Sequence, residues 1–323
     1  MKIATKQIVF LFLISIPAVS LVAFLSYEIT SGETSARIKN QLMQIANTQE
    51  RRLSLSIQND QEEISALSAS VDLRLSLGDY LASHNLADIE KSRAILQGET
   101  VKDSDIENIS IVSVDGQIIT SSGLESTSTD FFNLDLIAQA QKGNLIVLIK
   151  DANGNPSLFF INNILLENKS VGFLVVKRNT DSINAIVKDY TNLGRTGETE
   201  LAETTNNGNL IYIAPLRFDL NAALNRVIDK DIKNNDLIYD PSTVESFLTN
   251  VIDYRGKNVL AATKLMDTTQ WRIAVKMDYD EAFSATNTLI YELIIISLAT
   301  IVLIVLLAFY FARIITVPVL KLT

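Results

Sequence analysis

Two stretches of the chain carry no charge. Ile8 to Tyr27 reads IVFLFLISIPAVSLVAFLSY, and Leu293 to Ala312 reads LIIISLATIVLIVLLAFYFA. A helix rises ~1.5 Å per residue, so each run covers a hydrocarbon core of ~30 Å. The first run continues past the one cleavage-like point, near Ala18–Ser20, and exceeds the ~7–15 apolar residues of a signal peptide. It therefore predicts an uncleaved anchor, in which Pro17 is tolerable. From Ile38 the pattern changes to helical spacing. Apolar residues recur at Ile38, Leu42, Ile45, Leu53, Ile57, Ile64, Leu67, Val71 and Leu75, with Gln49 and Asp60 as polar breaks. This predicts one long amphipathic helix to Leu75 whose stripe covers a domain's flank and, on the same or another stretch, forms a seam to a second copy of the chain.

After Gly98 the period drops to two. Ile109–Val114 and Gln117–Ser122 flank Asp115-Gly116, and Leu145–Lys150 and Ser157–Leu165 flank Asn153-Gly154, two hairpin signals. Phe131–Gln141 and Asp181–Tyr190 read as helices, and Val171–Lys177 as a strand. A second strand set follows: Glu198–Glu203, Asn209–Ala214, Val251–Tyr254, Val259–Leu265 and Trp271–Met277. The predicted class is α+β, with two antiparallel sheets stacked along the long helix between two transmembrane helices.

Charge adds an orientation. Both tails are basic, with Lys2, Lys6, Arg313 and Lys321 and no acid. Residues 28–292 hold the other 24 of the 28 basic residues and all 37 acidic ones, a net −13. Positive charge stays on the cytoplasmic side, so both termini are expected inside and 28–292 outside a bacterial plasma membrane. The overall −9 argues against a nucleic-acid partner. The absence of Cys excludes disulfides and thiolate chemistry, and a single His, His84, excludes a multi-His metal site. His84 reads as a solvated helix end. Asp151, Asn153 and Asn155 imitate the start of a calcium loop, but Pro156 and Asn162 stand where Gly and Glu are required, which leaves a hairpin turn. Gly194–Gly197 lacks the spacing of a phosphate loop and reads as a tight turn. No acid/base pair is singled out among 37 acids, so no catalytic group, metal or cofactor is expected.

Several short stretches resemble the double-Cache sensor domains of bacterial transmembrane receptors. Leu193-Gly-Arg-Thr-Gly-Glu198 resembles the "LGxTGE" opening of the membrane-proximal module. Asp253–Ala262 and Trp271–Lys276 resemble its closing strands, and Asp280-Glu-Ala-Phe283 the lead into the second span. Arg313–Leu320, with Pro318, is similar to the start of a HAMP linker. The resemblance implies these divisions: a tail at 1–7, a span at 8–27, a signalling and dimer helix at 28–75, a membrane-distal module at 76–188, a membrane-proximal module at 189–288, a span at 289–312 and linker at 313–323. It also implies a homodimeric receptor for a small molecule, with a cytoplasmic output beyond this chain: a histidine kinase first, otherwise a nucleotide cyclase or chemoreceptor shaft. The competing layout is that of a polysaccharide chain-length regulator, an assembly protein whose outer segment is mostly helical.

Amino-acid-binding members of that family carry an Arg–aromatic stretch and an Asp at the end of the distal module's last strand. Here the stretch is Phe131-Phe-Asn-Leu-Asp-Leu-Ile137, and the strand ends in Lys177 and Arg178. A basic strand end favours an anionic ligand. The expected pocket residues are Asn133, Asp135, Phe160, Asn162 and one of Lys177 and Arg178, because neighbours on a strand point to opposite faces. Arg217 and Tyr254 are the alternatives in the second module.

Overall fold

The computed structural model describes residues 3–123, 134–229 and 244–311. Asn133 and the linker-like Arg313–Leu320 lie outside them. One helix, α1 (Ile3–Ser68), carries the first apolar run and the amphipathic stripe without interruption, with Pro17 inside it. At ~1.5 Å per residue it is about 100 Å long. The predicted helix does not reach Leu75: it stops at Ser68. Ser70 then caps α2 (Val71–Ser83), accepting from the Leu73 N–H at 3.3 Å, with Asp72 in the first turn. No Gly or Pro marks this break, so apolar spacing alone runs through it. His84 ends α2 in a left-handed conformation (φ 51°), and Asn85 caps α3 (Leu86–Lys102). Gly98 lies inside α3, so the helical region ends four residues later than the predicted change of period.

The first sheet has the order β2-β1-β5-β4-β3, all antiparallel. Its strands are β1 (Ile106–Val112), β2 (Ile118–Ser121), β3 (Leu145–Lys150), β4 (Pro156–Leu166) and β5 (Lys169–Arg178). The Asp115-Gly116 and Asn153-Gly154 turns fall where their sequence places them, with both glycines at positive φ. α4 (Leu134–Ala140) lies between β2 and β3, and α5 (Asp181–Val187) leads out of the sheet. The second sheet has the order β8-β7-β6-β11-β10-β9. Its strands are β6 (Glu198–Thr204), β7 (Leu210–Tyr212), β8 (Val227–Ile228), β9 (Glu245–Ile252), β10 (Asn258–Leu265) and β11 (Arg272–Asp278). Two further helices close the described chain, α6 (Tyr279–Ala282) and α7 (Ser284–Phe311).

The apolar stripe of α1 is consumed by these sheets. Leu53, Ile57 and Ile64 join a core with Leu158, Phe160 and Val176 of the first sheet and with Leu201, Trp271 and Ile273 of the second. Ile38, Leu42 and Ala46 pack on Leu260, Val275 and Met277. Fully burying one such side chain stabilises the fold by roughly 1.5–3 kcal/mol. The stripe that suggested a dimer seam therefore faces the chain's own strands, and the outward positions Gln44, Thr48, Arg51, Leu55 and Glu62 are polar apart from Leu55.

Beyond the sheets, α1 and α7 run together, joined by a buried 3.0 Å hydrogen bond between the hydroxyls of Thr34 and Thr286. Both helices contain windows long and apolar enough to cross a membrane. Their large side chains stand bare: Leu13, Val22, Ile295 and Leu306 are each more than half exposed. Exposed apolar surface on this scale needs a lipid or protein cover.

Candidate functional site

Each face of the first sheet has its own cover. Phe160, Asn162, Leu174, Val176 and Arg178 point to the face against α1, as their register requires. Phe159, Ile161, Phe173, Val175 and Lys177 point to the other, where Ile137 and Ala140 of α4 cover part of the apolar floor.

Towards β2 this second face becomes polar. Asn108 and Ser110 alternate with Ile109 and Ile111 on β1, so both hydrophilic side chains share the face of Lys177. The Asn108 side-chain oxygen accepts from the Ser121 hydroxyl (2.7 Å), the Ser122 hydroxyl (3.0 Å) and the Gly123 N–H (3.1 Å). Its amide nitrogen donates to Ser110 at 3.1 Å. The pairing register shifts between Ile106 and Asn108, which leaves Glu107 as the extra residue of a β-bulge. A bulge re-aims a side chain, and here Glu107 reaches Lys177 at 2.7 Å.

Asp151 completes the group. One of its oxygens accepts the N–H groups of Asn153 and Asn155, both at 2.9 Å, which is the turn that imitated a calcium loop. Its other oxygen accepts from Lys177 at 3.0 Å. Burial opposes ionisation of Asp151, but the Asn155 N–H and the Lys177 ammonium hold its carboxyl below the usual range. Burial likewise opposes the charge on Lys177, and Glu107 and Asp151 more than offset it, so its pKa is raised. A cavity of about 410 Å³ opens here, lined by Glu107, Asn108, Gly123, Asp151, Asn153, Asn155 and Lys177. One ammonium against two carboxylates leaves the wall with a net negative charge. Lys177 has three donors, two of which are engaged, and both carboxylates keep acceptor capacity.

The expected pocket residues therefore divide. Lys177 stands in this wall. Asp135 lies on α4, exposed, accepting from Gln139 at 3.0 Å. Phe160 and Asn162 do share a face, but it is the face on α1, where Asn162 donates to Ser65 (3.0 Å) and accepts from Gln61 (3.1 Å). Arg178 is also on that side, buried among Asp60, Asp103 and Asp105. Sequence reasoning missed Glu107, Asn108, Ser110 and Ser121. The alternation Asn108-Ile-Ser110-Ile was the available signal, whereas the bulge that turns Glu107 inward had none.

A second polar cluster lies within the other sheet. Glu198, Glu200 and Lys276 share one face of β6 and β11. Lys276 is fully buried, with Glu200 at 2.5 Å, Asp253 at 2.7 Å and Glu198 at 3.2 Å. The Tyr254 ring covers the ammonium at 4.1 Å, while its hydroxyl donates to Glu198 at 2.9 Å. Burial and the Glu198 charge push the Tyr254 phenol far above its ordinary range. Burial works against the Lys276 charge, but Glu200, Glu198 and Asp253 outweigh it and raise its pKa. Arg255 bonds Asp253 at 2.7 Å and also pairs with Asp278. Arg217 donates to the carbonyls of Gly194 (3.2 Å) and Gly197 (2.6 Å), and its guanidinium lies 4.3 Å from the Tyr190 ring. This arrangement binds the Leu193–Glu198 turn, the Asp253 turn and the last strand to one another. It is the polar core of the second sheet.

The family model described as a Cache domain matches residues 30–286. The chain belongs to the double-Cache family. Its long helix and two antiparallel sheets are those of a Cache domain. The fold resembles the sensor domain of the V. cholerae histidine kinase DctB, with a TM-score of 0.54 and 11% identity over 75% of this chain and 98% of that one. It also resembles the ligand-binding domain of the Pseudomonas fluorescens chemoreceptor CtaA in complex with L-leucine (0.53, 12%, 77% and 97%). The ligand-binding domain of Mlp24 with asparagine is similar in the same way (0.52, 14%, 79% and 98%). At these identities the likeness is one of fold. No curated protein matches this Cache chain in sequence.

Proposed function

We propose that this Cache protein is a two-span membrane receptor whose first sheet binds a small zwitterion. The observation that carries the ligand class is the Lys177 ammonium held between Glu107 and Asp151 at the 410 Å³ cavity. A ligand carboxylate takes the remaining Lys177 donor, and a ligand ammonium takes the spare acceptors of Glu107 and Asp151. A purely anionic ligand, the class suggested by the basic strand end alone, meets two carboxylates beside its one cation. Charged hydrogen bonds in a partly buried site are worth roughly 1.5–3 kcal/mol each, so satisfying both signs outweighs satisfying one. The relatives solved with L-leucine and with asparagine bind ligands of this class.

The bare apolar runs of α1 and α7 are read as the spans, with the two sheets outside the cytoplasm. The output past the second span is read as a histidine kinase, or else a nucleotide cyclase or chemoreceptor shaft. A pairing of two copies would use surfaces other than the α1 stripe. The chain-length-regulator reading predicts a mostly helical outer segment, which the two antiparallel sheets do not fit.

The test is a thermal-shift screen of the full chain in lipid nanodiscs against the L-amino acids, monocarboxylates, dicarboxylates and amines. Amino acids should raise Tm, and Lys177→Met and Asp151→Asn should each reduce the shift. Stabilisation by dicarboxylates alone, undiminished in Asp151→Asn, would return the assignment to an anion.

A further inference from the structure

Lys177 and Arg178 are consecutive, and β5 sends them to opposite faces of the sheet. Lys177 forms the pocket wall. Arg178 passes to the other side, buried, and its guanidinium lies 3.3 Å from Asp60 of α1. It also lies 2.8 Å from Asp103 and 3.9 Å from Asp105, in the connection from α3 to β1. That connection runs directly into the bulge that holds Glu107 against Lys177. The end of β5 and the start of β1 are thus fastened twice, by Lys177 on the pocket side and by Arg178 on the helix side. Asn179 and Ser182 tighten the same corner through the Asp105 carbonyl (2.9 Å) and carboxylate (2.5 Å).

Asp60 is the charged interruption of an inward stripe whose other polar break, Gln49, is neutral. A helix that only packed on a sheet would gain more from an aliphatic residue there, since a buried ion pair gives little net stability. Burial pushes the Asp60 carboxyl up to about 6. That value already includes the Arg178 charge, which lowers it, and Asp103, Glu63 and Asp105, which raise it. The contact is therefore poised, with its charged form held mainly by one guanidinium.

We propose that Arg178 is the positioning residue through which the state of the Lys177 pocket reaches α1. A rearrangement of Lys177, Glu107 and Asp151 around a ligand shifts the end of β5 against the start of β1. Arg178 is part of that strand end, so its grip on Asp60 changes with it. α1 is the element that continues into the first apolar run. The inference rests on the reading of the Lys177 cavity as the ligand site, and the experiment separates the two.

The full chain in nanodiscs is followed by hydrogen exchange in peptides covering 53–68, first without ligand. Lys177→Met mimics a change in the pocket wall. It should alter exchange around Asp60 by roughly fivefold or more, the lower end of coupling between sites. In Arg178→Gln and Asp60→Asn backgrounds the same substitution should leave that region unchanged, and Arg178→Lys should restore part of the response. An equal response in every background, or none in the native one, overturns the proposal, and Asp60→Asn decides if Arg178→Gln does not fold. A second arm adds the mixture of L-amino acids. Arg178→Gln should keep the thermal shift and lose the change in α1. If no amino acid shifts Tm while the ligand-free arm behaves as expected, the ligand reading fails and the coupling stands. Loss of the thermal shift in both Lys177→Met and Arg178→Gln would make Arg178 a part of the pocket and overturn its positioning role.

Discussion

Thr196 donates its hydroxyl to the carboxylate of Glu281, 85 residues further along the chain. The same carboxylate accepts the N–H groups of Arg195 (2.8 Å) and Thr196 (2.7 Å), so one side chain closes the whole Gly194–Gly197 turn. Two stretches read separately in the sequence, Leu193–Glu198 and Asp280–Phe283, are thus halves of one device. It joins the first strand of the second sheet to the segment entering α7. At Gly197 an added Cβ would sit 2.1 Å from the Leu193 carbonyl oxygen, so the close turn requires glycine there.

Glu281→Ala should destabilise the second sheet by about 1–3 kcal/mol, the cost of leaving these donors without their acceptor. Burial opposes ionisation of Glu281, but the Thr196 hydroxyl and the two N–H groups hold its pKa below the usual value. A carboxylate with a depressed folded-state pKa contributes stability above its unfolded pKa, and that contribution is lost as pH falls through the folded one. Thermal melts at pH 7 and at pH 4 and below should therefore differ less in Glu281→Ala than in the native chain. An unchanged difference would show that this turn does not depend on the carboxylate.

Asp60 has the opposite sign. Its folded-state value near 6 lies above the ordinary 3.8, so the folded chain binds a proton that the unfolded chain releases. Stability from this group should increase as pH falls from above 6 towards 4, by on the order of 1–2 kcal/mol once the conversion of 1.36 kcal/mol per unit is discounted for solvent screening. Asp60→Asn should remove that slope. Denaturant melts at pH 7.5 and 5 in both proteins measure it, and parallel slopes would place the ionised Asp60 in a better-solvated environment.

The buried Lys276 predicts a larger effect. Lys276→Met should cost about 3–5 kcal/mol, because Glu198 and Glu200 lose their cation and face Asp253, which keeps only Arg255. Combining it with Glu200→Gln should cost less than the sum of the two single changes, since the residues share one network. Additive losses in urea melts would mean that the four side chains act independently.

The legible parts of the fold are those set by local periodicity. The Asp115-Gly116 and Asn153-Gly154 hairpins, both apolar runs and the α1 stripe follow from spacing of two or 3.6 and from turn residues. The break at Ala69–Ser70 was not legible, because Val71 and Leu75 continue the spacing and only the Ser70 cap opposes it. The pocket was half legible. Period two correctly separates Lys177 from Arg178 and groups Phe160 with Asn162, but a strand's own pattern cannot say which face a helix 100 residues away will cover. With both faces apolar, Phe159 and Phe160 are equivalent in sequence. The Glu107 bulge depends on pairing with β5 and leaves no local trace.

The burial of the α1 stripe gives a direct test of how the helix is used. Cysteines placed singly at Leu42, Leu53 and Ile57 of this Cys-free chain should resist a membrane-impermeant maleimide and should not crosslink between copies. Leu55→Cys, almost half exposed, should react readily. Leu53→Cys should also lower stability by a few kcal/mol, in the range of large-to-small core changes of about 2–5. Crosslinking strongest at Ile38, Leu42 and Ile45 would instead mean that the stripe leaves its sheets to pair with another copy.

The proposed arrangement across the membrane rests on two apolar helices whose side chains stand bare and on tails with four basic residues and no acids. α1 and α7 meet at Thr34 and Thr286, so both helices leave the second sheet at the same end, and the proposed receptor has them enter the bilayer side by side. Two antiparallel spans of one polypeptide would place the segment between them on one side and both tails on the other. In the proposed arrangement the charge asymmetry selects the side, because the basic residues Lys2, Lys6, Arg313 and Lys321 flanking the spans favour the cytoplasm. A reporter inserted at Gly154, in an exposed turn of the first sheet, should report export. The same reporter fused at Thr323 should report the cytoplasm. Reversing the N-terminal tail charges, with Lys2→Glu and Lys6→Glu, should weaken that difference. A cytoplasmic signal at Gly154 in the native chain would remove the spans, and with them the reading of the Lys177 cavity as a site facing the outside.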